Sequence, residues 1–248
     1  MSIIYILWLR QLKRYSRSRA RIFASLAQPL LFLFAMGFGF GPTFAKAGGG
    51  SYIQFLAPGI IAMAIMFNAV FSGVEIIWDR QFGFLKGTLV APVPRLQIVL
   101  GRTLGGATVA MMQGAIVFLV CLLAGFRVQN LALVPVAAVF MFLIAVLFAA
   151  VGATVGSLIE DMQAFPLIMN FLIMPMFFFS SALFPMKNLN GILTALLRIN
   201  PLTYGVDGLR GAFTQAFEFG AVLDFTLLAI AAAVLLAVGS YFFSKIEV

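Results

Sequence analysis

The chain has 248 residues, of which 63% are apolar and only 10% charged. A soluble domain carries about 45–50% apolar and about 25% charged residues. An ordinary globular protein in water is therefore excluded, as is a disordered chain, and the composition is that of an integral membrane protein. The complete absence of His excludes Ser-His-Asp and Cys-His nucleophiles and any His-held metal or haem. The single Cys121 allows no intrachain disulfide. The net charge of +8 is explained by where its cations lie.

Residues 2–21 predict an amphipathic helix. At about 100° per residue, Arg10, Arg14, Arg17 and Arg21 fall on one face, and Ile4, Trp8, Leu12 and Tyr15 on the opposite one. Arg19 departs from the stripe and is expected to snorkel. This segregation fits a helix lying in the membrane interface, Trp8 and Tyr15 at headgroup level and the arginines toward phosphate; a polybasic topology signal would carry the same charges. No cleaved signal peptide is expected, because the apolar stretch from Ile3 to Leu9 precedes its positive charges.

Six charge-free runs of at least 20 residues follow: 22–45, 47–74, 103–126, 128–159, 162–186 and 225–244. A helix rises about 1.5 Å per residue, so about 20 residues cross a hydrocarbon layer about 30 Å thick. The runs do not alternate as barrel strands do. The expected fold is all-α, with six spans near residues 22–42, 53–77, 99–125, 131–158, 163–184 and 223–244 in a single transmembrane domain. With the N-terminus inside, eleven Lys and Arg residues fall on the inner side and five on the outer. The positive-inside rule favours that orientation, with both termini cytoplasmic. Lipid headgroups then account for the basic balance and no nucleic-acid partner is needed.

The loop from Glu75 to Arg95 mixes charge with aromatic residues. Asp79 and Arg80 open it, Pro92 and Pro94 close it, and Phe82, Leu85 and Leu89 recur at helical spacing. A short helix of that kind either sinks into the lipid interface or inserts into a groove on another protein. Glu75, at the inner end of the second span, is placed to pair with Arg80 or with the basic N-terminal helix. In the third and fourth spans Gly101, Gly105, Gly106, Gly152 and Gly156 would let helices approach closely. Glu160 and Asp161 form the short turn before the fifth span. Phe67, Asn68 and Phe71 in the second span, with Asn170, Met174 and Phe178 in the fifth, are the candidate pathway residues. An amide facing lipid is costly, and Phe and Met would suit an amphipathic cargo.

The stretch between the last two spans, residues 187–220, is apolar. Leu189 to Leu197 predicts one helix and Leu202 to Phe217 a second, broken by Asn200 and Pro201, with Asp207 and Arg210 paired at i, i+3. Two short helices folded back from the outer face account for this pattern.

Asp79-Arg80-Gln81-Phe82-Gly83 through Leu89-Val90-Ala91-Pro92-Val93 resembles the first cytoplasmic loop of the type 2 ABC exporter permeases. Leu56-Ala57-Pro58-Gly59-Ile60 and Asn200-Pro201-Leu202-Thr203-Tyr204, with Asp207 and Arg210, are similar to the segments that open the second span and precede the last in that family. The resemblance covers essentially the whole chain. It implies that residues 79–92 are a coupling helix, in which Asp79, Arg80, Phe82, Phe84, Leu85 and Leu89 dock on a separate ATPase subunit. It also implies that residues 187–220 form a re-entrant pair, in which Asn200, Pro201, Tyr204, Asp207 and Arg210 gate the outer end. Gln81 and Lys86 stand where the family commonly has acidic residues, which makes the docking surface more basic.

No G-x-x-x-x-G-K-[ST] phosphate loop occurs in the chain. The resemblance implies a permease subunit that is not itself an enzyme and holds no cofactor, ATP and Mg²⁺ belonging to two copies of an ABC-type ATPase, and the missing phosphate loop agrees with that division of labour. A second permease copy, identical or closely related, completes the pathway in a prokaryotic cytoplasmic membrane. The cargo expected is hydrophobic: a drug, a lipid or a lipid-linked glycan, with drug-like efflux favoured. The alternative is an ion-coupled secondary transporter or channel, disfavoured because no ionisable residue lies mid-span. A membrane hydrolase has neither His nor a Gly-x-Ser-x-Gly string to work with.

Overall fold

The computed structural model describes residues 2–46, 51–84, 94–185 and 191–245, and all regular structure among them is helical. The helices are α1 (Ile3–Arg17), α2 (Arg19–Lys46), α3 (Tyr52–Phe71), α4 (Val74–Gln81), α5 (Arg95–Leu123), α6 (Val134–Leu158), α7 (Ala164–Phe178), α8 (Gly191–Ile199), α9 (Pro201–Thr214) and α10 (Ala221–Ser244). Helix α3 is the axis of the fold. It is buried nearly all round, from Leu56 to Phe67, and packs on α2, α5, α6 and α9. Helix α10 packs along α6. The outer surfaces of α2 and α10 present apolar side chains such as Phe23, Leu31, Val222 and Ile230, as lipid-facing helices do.

Five helical stretches are long and apolar enough to cross a membrane: Ile22–Thr43, Tyr52–Gln81, Arg95–Leu123, Leu131–Leu158 and Ala221–Ser244. The protein is therefore an all-helical membrane protein, and among the described residues a sixth long span is not formed. Where the apolar run predicts a span over residues 163–184, α7 has only 15 residues, a rise of about 22 Å. Pro175 lies in its last turn, and the Asn200 amide donates to the carbonyls of Met176 and Phe179, the latter at 2.8 Å. The Asn200 oxygen accepts from Leu202 N at 3.0 Å, so the same side chain caps the start of α9.

The second span is longer than expected and is broken. Helices α3 and α4 make one column of 30 residues, Tyr52–Gln81. The tight turn between them carries i→i−3 bonds from Gly73 N to Val70 O and from Ile76 N to Gly73 O, both 3.0 Å. Here two of the predicted glycines, Gly152 and Gly156, meet a third, Gly73. A Cβ on Gly73 would collide with the Gly152 carbonyl, one on Gly152 with the Val70 carbonyl, and one on Gly156 would lie 2.5 Å from Gly73 O. Backbone meets backbone between α6 and the α3–α4 break.

Helix α1 differs from a helix floating on lipid. Its apolar face lies against α5 and follows it for about three turns in the same chain direction. Ile4 and Leu7 abut Gly101, Gln11 abuts Gly105, and Trp8 Nε1 donates to Thr108 Oγ1 at 3.0 Å. Tyr15 OH donates to Gln113 Oε1, whose amide donates on to Ile22 O at 3.3 Å. The glycines admit α1 close enough for these polar bonds, and a face expected to meet lipid meets protein.

Candidate functional site

The densest polar cluster among the described residues lies where α1, α4 and α5 meet. Asp79, in the last turn of α4, is only 4% exposed. Its Oδ1 accepts from Arg10 Nη2 at 2.6 Å and its Oδ2 from Arg102 Nη2 at 2.7 Å. Arg102 is as deeply buried as Asp79. One carboxylate thus ties three helices together, and a charged partner left alone there would be strongly destabilising. Glu75, one turn earlier on α4, lies 4.0 Å from Arg14. On the other side Arg80 lies 3.5 Å from Glu160, and Gln81 Nε2 donates to the Glu160 carbonyl at 3.2 Å. The Arg80–Glu160 pair, open to water on the Glu160 side, adds little energy, but it joins α4 to the turn between α6 and α7.

Aromatic rings flank this cluster. Phe82 and Phe84 are each 65% exposed, and Trp78 meets Phe82 edge-on at 6.0 Å. The Arg14 guanidinium sits 5.0 Å from the Trp78 ring and Arg10 5.9 Å from that of Phe84. Between α1 and α4 opens a groove of about 760 Å³, lined by Tyr5, Ile6, Leu9, Arg10, Lys13, Arg14 and Arg17 on one wall and Trp78, Asp79, Phe82 and Phe84 on the other.

The expected docking residues therefore separate. Phe82 and Phe84 are presented outward, Arg80 is partly exposed, and Asp79 is withdrawn from any docking surface because two guanidiniums occupy both its oxygens. Leu85 and Leu89, and with them most of residues 79–92, lie outside the described residues. Of the α1 face, Arg10, Arg14 and Arg17 line the groove; the Arg21 side chain lies outside the described set.

The six candidate pathway residues do not converge. Phe67 stacks on Phe71, whose ring meets Phe165 on α7 edge-on at 6.4 Å. Asn68 donates to Ala64 O of its own helix at 3.0 Å rather than across helices. Met174 packs partly buried against the core, while Asn170 and Phe178 face outward from α7. The carbonyl four residues back is within reach of the Asn68 amide, which removes the need for a neighbour.

At the opposite end, Pro201 begins α9 next to the Asn200 cap. Tyr204 OH donates to Arg198 O at 2.6 Å, and burial raises this phenol above its ordinary pKa. Asp207 and Arg210, expected to pair, go to different partners. Asp207 accepts from the backbone N–H groups of Glu218 and Phe219 at 2.9–3.0 Å, closing the chain after α9. Arg210 Nη2 donates to Ser181 O at 2.8 Å and lies 4.2 Å over the Phe55 ring. Burial pushes this guanidinium down to about 10. Orphan backbone groups outbid the i, i+3 pair, because leaving them unbonded inside the protein costs more than the pair returns. Asp224 on α10, fully buried, faces Asp207 and receives no N–H among the described residues.

Two features of the cluster escape the sequence reading. Arg102 reads there only as a topology charge, and the Gln11 and Gln113 contacts have no place in it. A glutamine on the apolar face of α1, opposite Gly105, is the signal that could have revealed them.

A family model described as ABC-2 type transporter matches residues 3–214 of this chain. Nodulation protein J of Rhizobium leguminosarum bv. trifolii is 31% identical over 195 residues, covering 77% of this chain and 73% of the relative. Nodulation protein J of Sinorhizobium fredii is 28% identical over 228 residues, covering 90% and 86%. The putative transport permease ycf38 of Pyropia yezoensis is 31% identical over 210 residues, covering 80% and 69%.

Proposed function

Because the chain belongs to the ABC-2 type transporter family and is a membrane permease subunit of an ABC transporter, we propose that it works as an exporter driven by a separate ATPase. Two ATPase subunits, carrying the ATP and Mg²⁺, dock on the segment around residues 79–92 with Phe82 and Phe84 as apolar anchors. The cargo is hydrophobic or amphipathic, a drug, a lipid or a lipid-linked glycan, moved out of the cytoplasm of a prokaryotic cell across its inner membrane. Both chain termini then lie on the cytoplasmic side.

The observation that carries this reading is the join between a buried ion-pair node in the last turn of α4 and exposed rings just past its end. Phe82 and Phe84 stand outside, while three residues before Phe82 the Asp79 carboxylate grips α1 and α5. Displacement of the anchors is transmitted to two further helices without slack. The glycine contact at Gly73 and Gly152 gives the α3–α4 column a tight fulcrum on α6.

A second permease copy, the same chain or a close relative, covers the outward face of α7. There Asn170 is exposed beside Leu167 and Phe171. An amide left facing hydrocarbon is costly, and a pathway shared between two copies gives it a wet or hydrogen-bonded setting.

The test is co-purification. The double substitution F82D/F84D is expected to lower recovery of the tagged permease's ATPase partner at least tenfold, while membrane insertion and elution profile stay unchanged. Undiminished recovery of the ATPase would remove the anchors from this account.

A further inference from the structure

The groove between α1 and α4 has a wall that the docking role leaves unused. Arg10, Lys13, Arg14 and Arg17 project along it from α1. Arg10 is held by Asp79 and Arg14 approaches Glu75. Lys13 and Arg17 are exposed and pair with no carboxylate among the described residues. Asp79 is shared with Arg102 as well, so cations outnumber carboxylates and the groove carries net positive charge.

The rest of the lining is apolar. Tyr5 and Ile6, each 47% exposed, lie at one end, and Trp78, Phe82 and Phe84 form the facing wall. A volume of about 760 Å³ falls within the range of small-molecule sites, about 300–1,000 Å³. Helix α1 runs through Ser18 directly into α2, whose apolar stretch begins at Ile22. The groove therefore sits beside the entry of a membrane span, the depth at which phospholipid headgroups lie. Guanidinium and ammonium donors match phosphate oxygens, and exposed aromatic rings match the glycerol and upper acyl region.

We propose that this groove binds the phosphodiester headgroup of an anionic membrane phospholipid, with Lys13 and Arg17 as its phosphate ligands and Tyr5 and Ile6 of the same helix against its apolar neck. Charge complementarity and the continuity of α1 with a span favour lipid over a soluble partner here. The site is independent of the exporter reading, since its ligands all lie on α1 and leave the Phe82 and Phe84 anchors out.

The experiment is native mass spectrometry of the purified full-length chain, loaded from detergent with palmitoyl-oleoyl phosphatidylglycerol or with phosphatidylcholine of the same chains. The expected result is at least fivefold greater retention of phosphatidylglycerol. K13Q/R17Q brings that retention down to the phosphatidylcholine level, and the charge-preserving pair K13R/R17K keeps it. Melting temperature and elution profile serve as the fold control, and both side chains are surface-exposed. Equal retention of the two lipids by the unmodified chain, or full phosphatidylglycerol retention by K13Q/R17Q, overturns the proposal. Displacement of bound lipid by an equal concentration of glycerol phosphate or inorganic phosphate would assign the site to soluble phosphate and also overturn it. Loss of the ATPase partner by K13Q/R17Q with lipid retention intact would make the groove a protein-docking surface and would overturn it too.

Discussion

Replacing Asp79 with Ala is expected to destabilise the protein by about 3–5 kcal/mol, the range for removing one partner of a buried ion pair. The expectation rests on what stays behind. Arg102 is 5% exposed and its Nη2 bond to Asp79, at 2.7 Å, is its one hydrogen bond to a side chain among the described residues. Without the carboxylate, a buried guanidinium remains between α5 and α4 without its hydrogen-bonded counter-charge. Thermal unfolding in detergent measures the loss. The double variant D79L/R102M removes both charges and is expected to recover more than half of it, because an apolar pair has nothing left uncompensated. It is not expected to recover coupling: ATPase activity and cargo movement should remain disconnected, since Arg10 on α1 has lost its hold on α4. A double variant that restores both stability and transport would reduce Asp79 to a structural residue.

The second large effect is steric. Gly73→Ala places a methyl group into the Gly152 carbonyl, and both sides of the contact are backbone. No rotamer change relieves it, so α6 and the α3–α4 column must move apart. The expected loss is about 1–3 kcal/mol or more. Gly39→Ala on α2 is the matched control: nothing lies within 4 Å of its new Cβ, and a Gly-to-Ala change inside a helix then gains about 0.5–1 kcal/mol. Melting curves of the two variants should shift in opposite directions, and equal shifts would mean the junction is loose.

The helices and the membrane setting were legible because both follow from local quantities, the length of an apolar run and the spacing of charges. Neighbours were not. The amphipathic period of α1 marks a face at Ile4, Trp8 and Tyr15, but whether lipid or α5 lies opposite depends on glycines about a hundred residues away. Asp79 reads as a loop residue because a carboxylate beside Arg80 ordinarily seeks water. Its burial depends on Arg10 and Arg102, separated from it by 69 and 23 positions. The run from residue 162 to 186 is long enough to span by composition, yet Asn200 takes the carbonyls that would have extended α7. Likewise the i, i+3 spacing of Asp207 and Arg210 is real, and the backbone of Glu218, Phe219 and Ser181 claims them both. Where sequence spacing failed, an unpaired backbone or charged group elsewhere in the chain had the stronger claim.

The central claim is that the exposed end of α4 touches the ATPase on the cytoplasmic side. Phe82→Cys, made in a chain where the sole native thiol has been removed by Cys121→Ala, reports on this directly. Cys121 is buried, so its removal leaves the surface unaltered. In inside-out vesicles containing the ATPase, a short thiol-to-amine reagent (a maleimide at one end and a lysine-reactive ester at the other) is predicted to cross-link position 82 to that subunit, and a membrane-impermeant maleimide added to intact cells is predicted to leave it unlabelled. Labelling from outside the intact cell, or vesicles that yield no cross-link to the ATPase, would contradict the account.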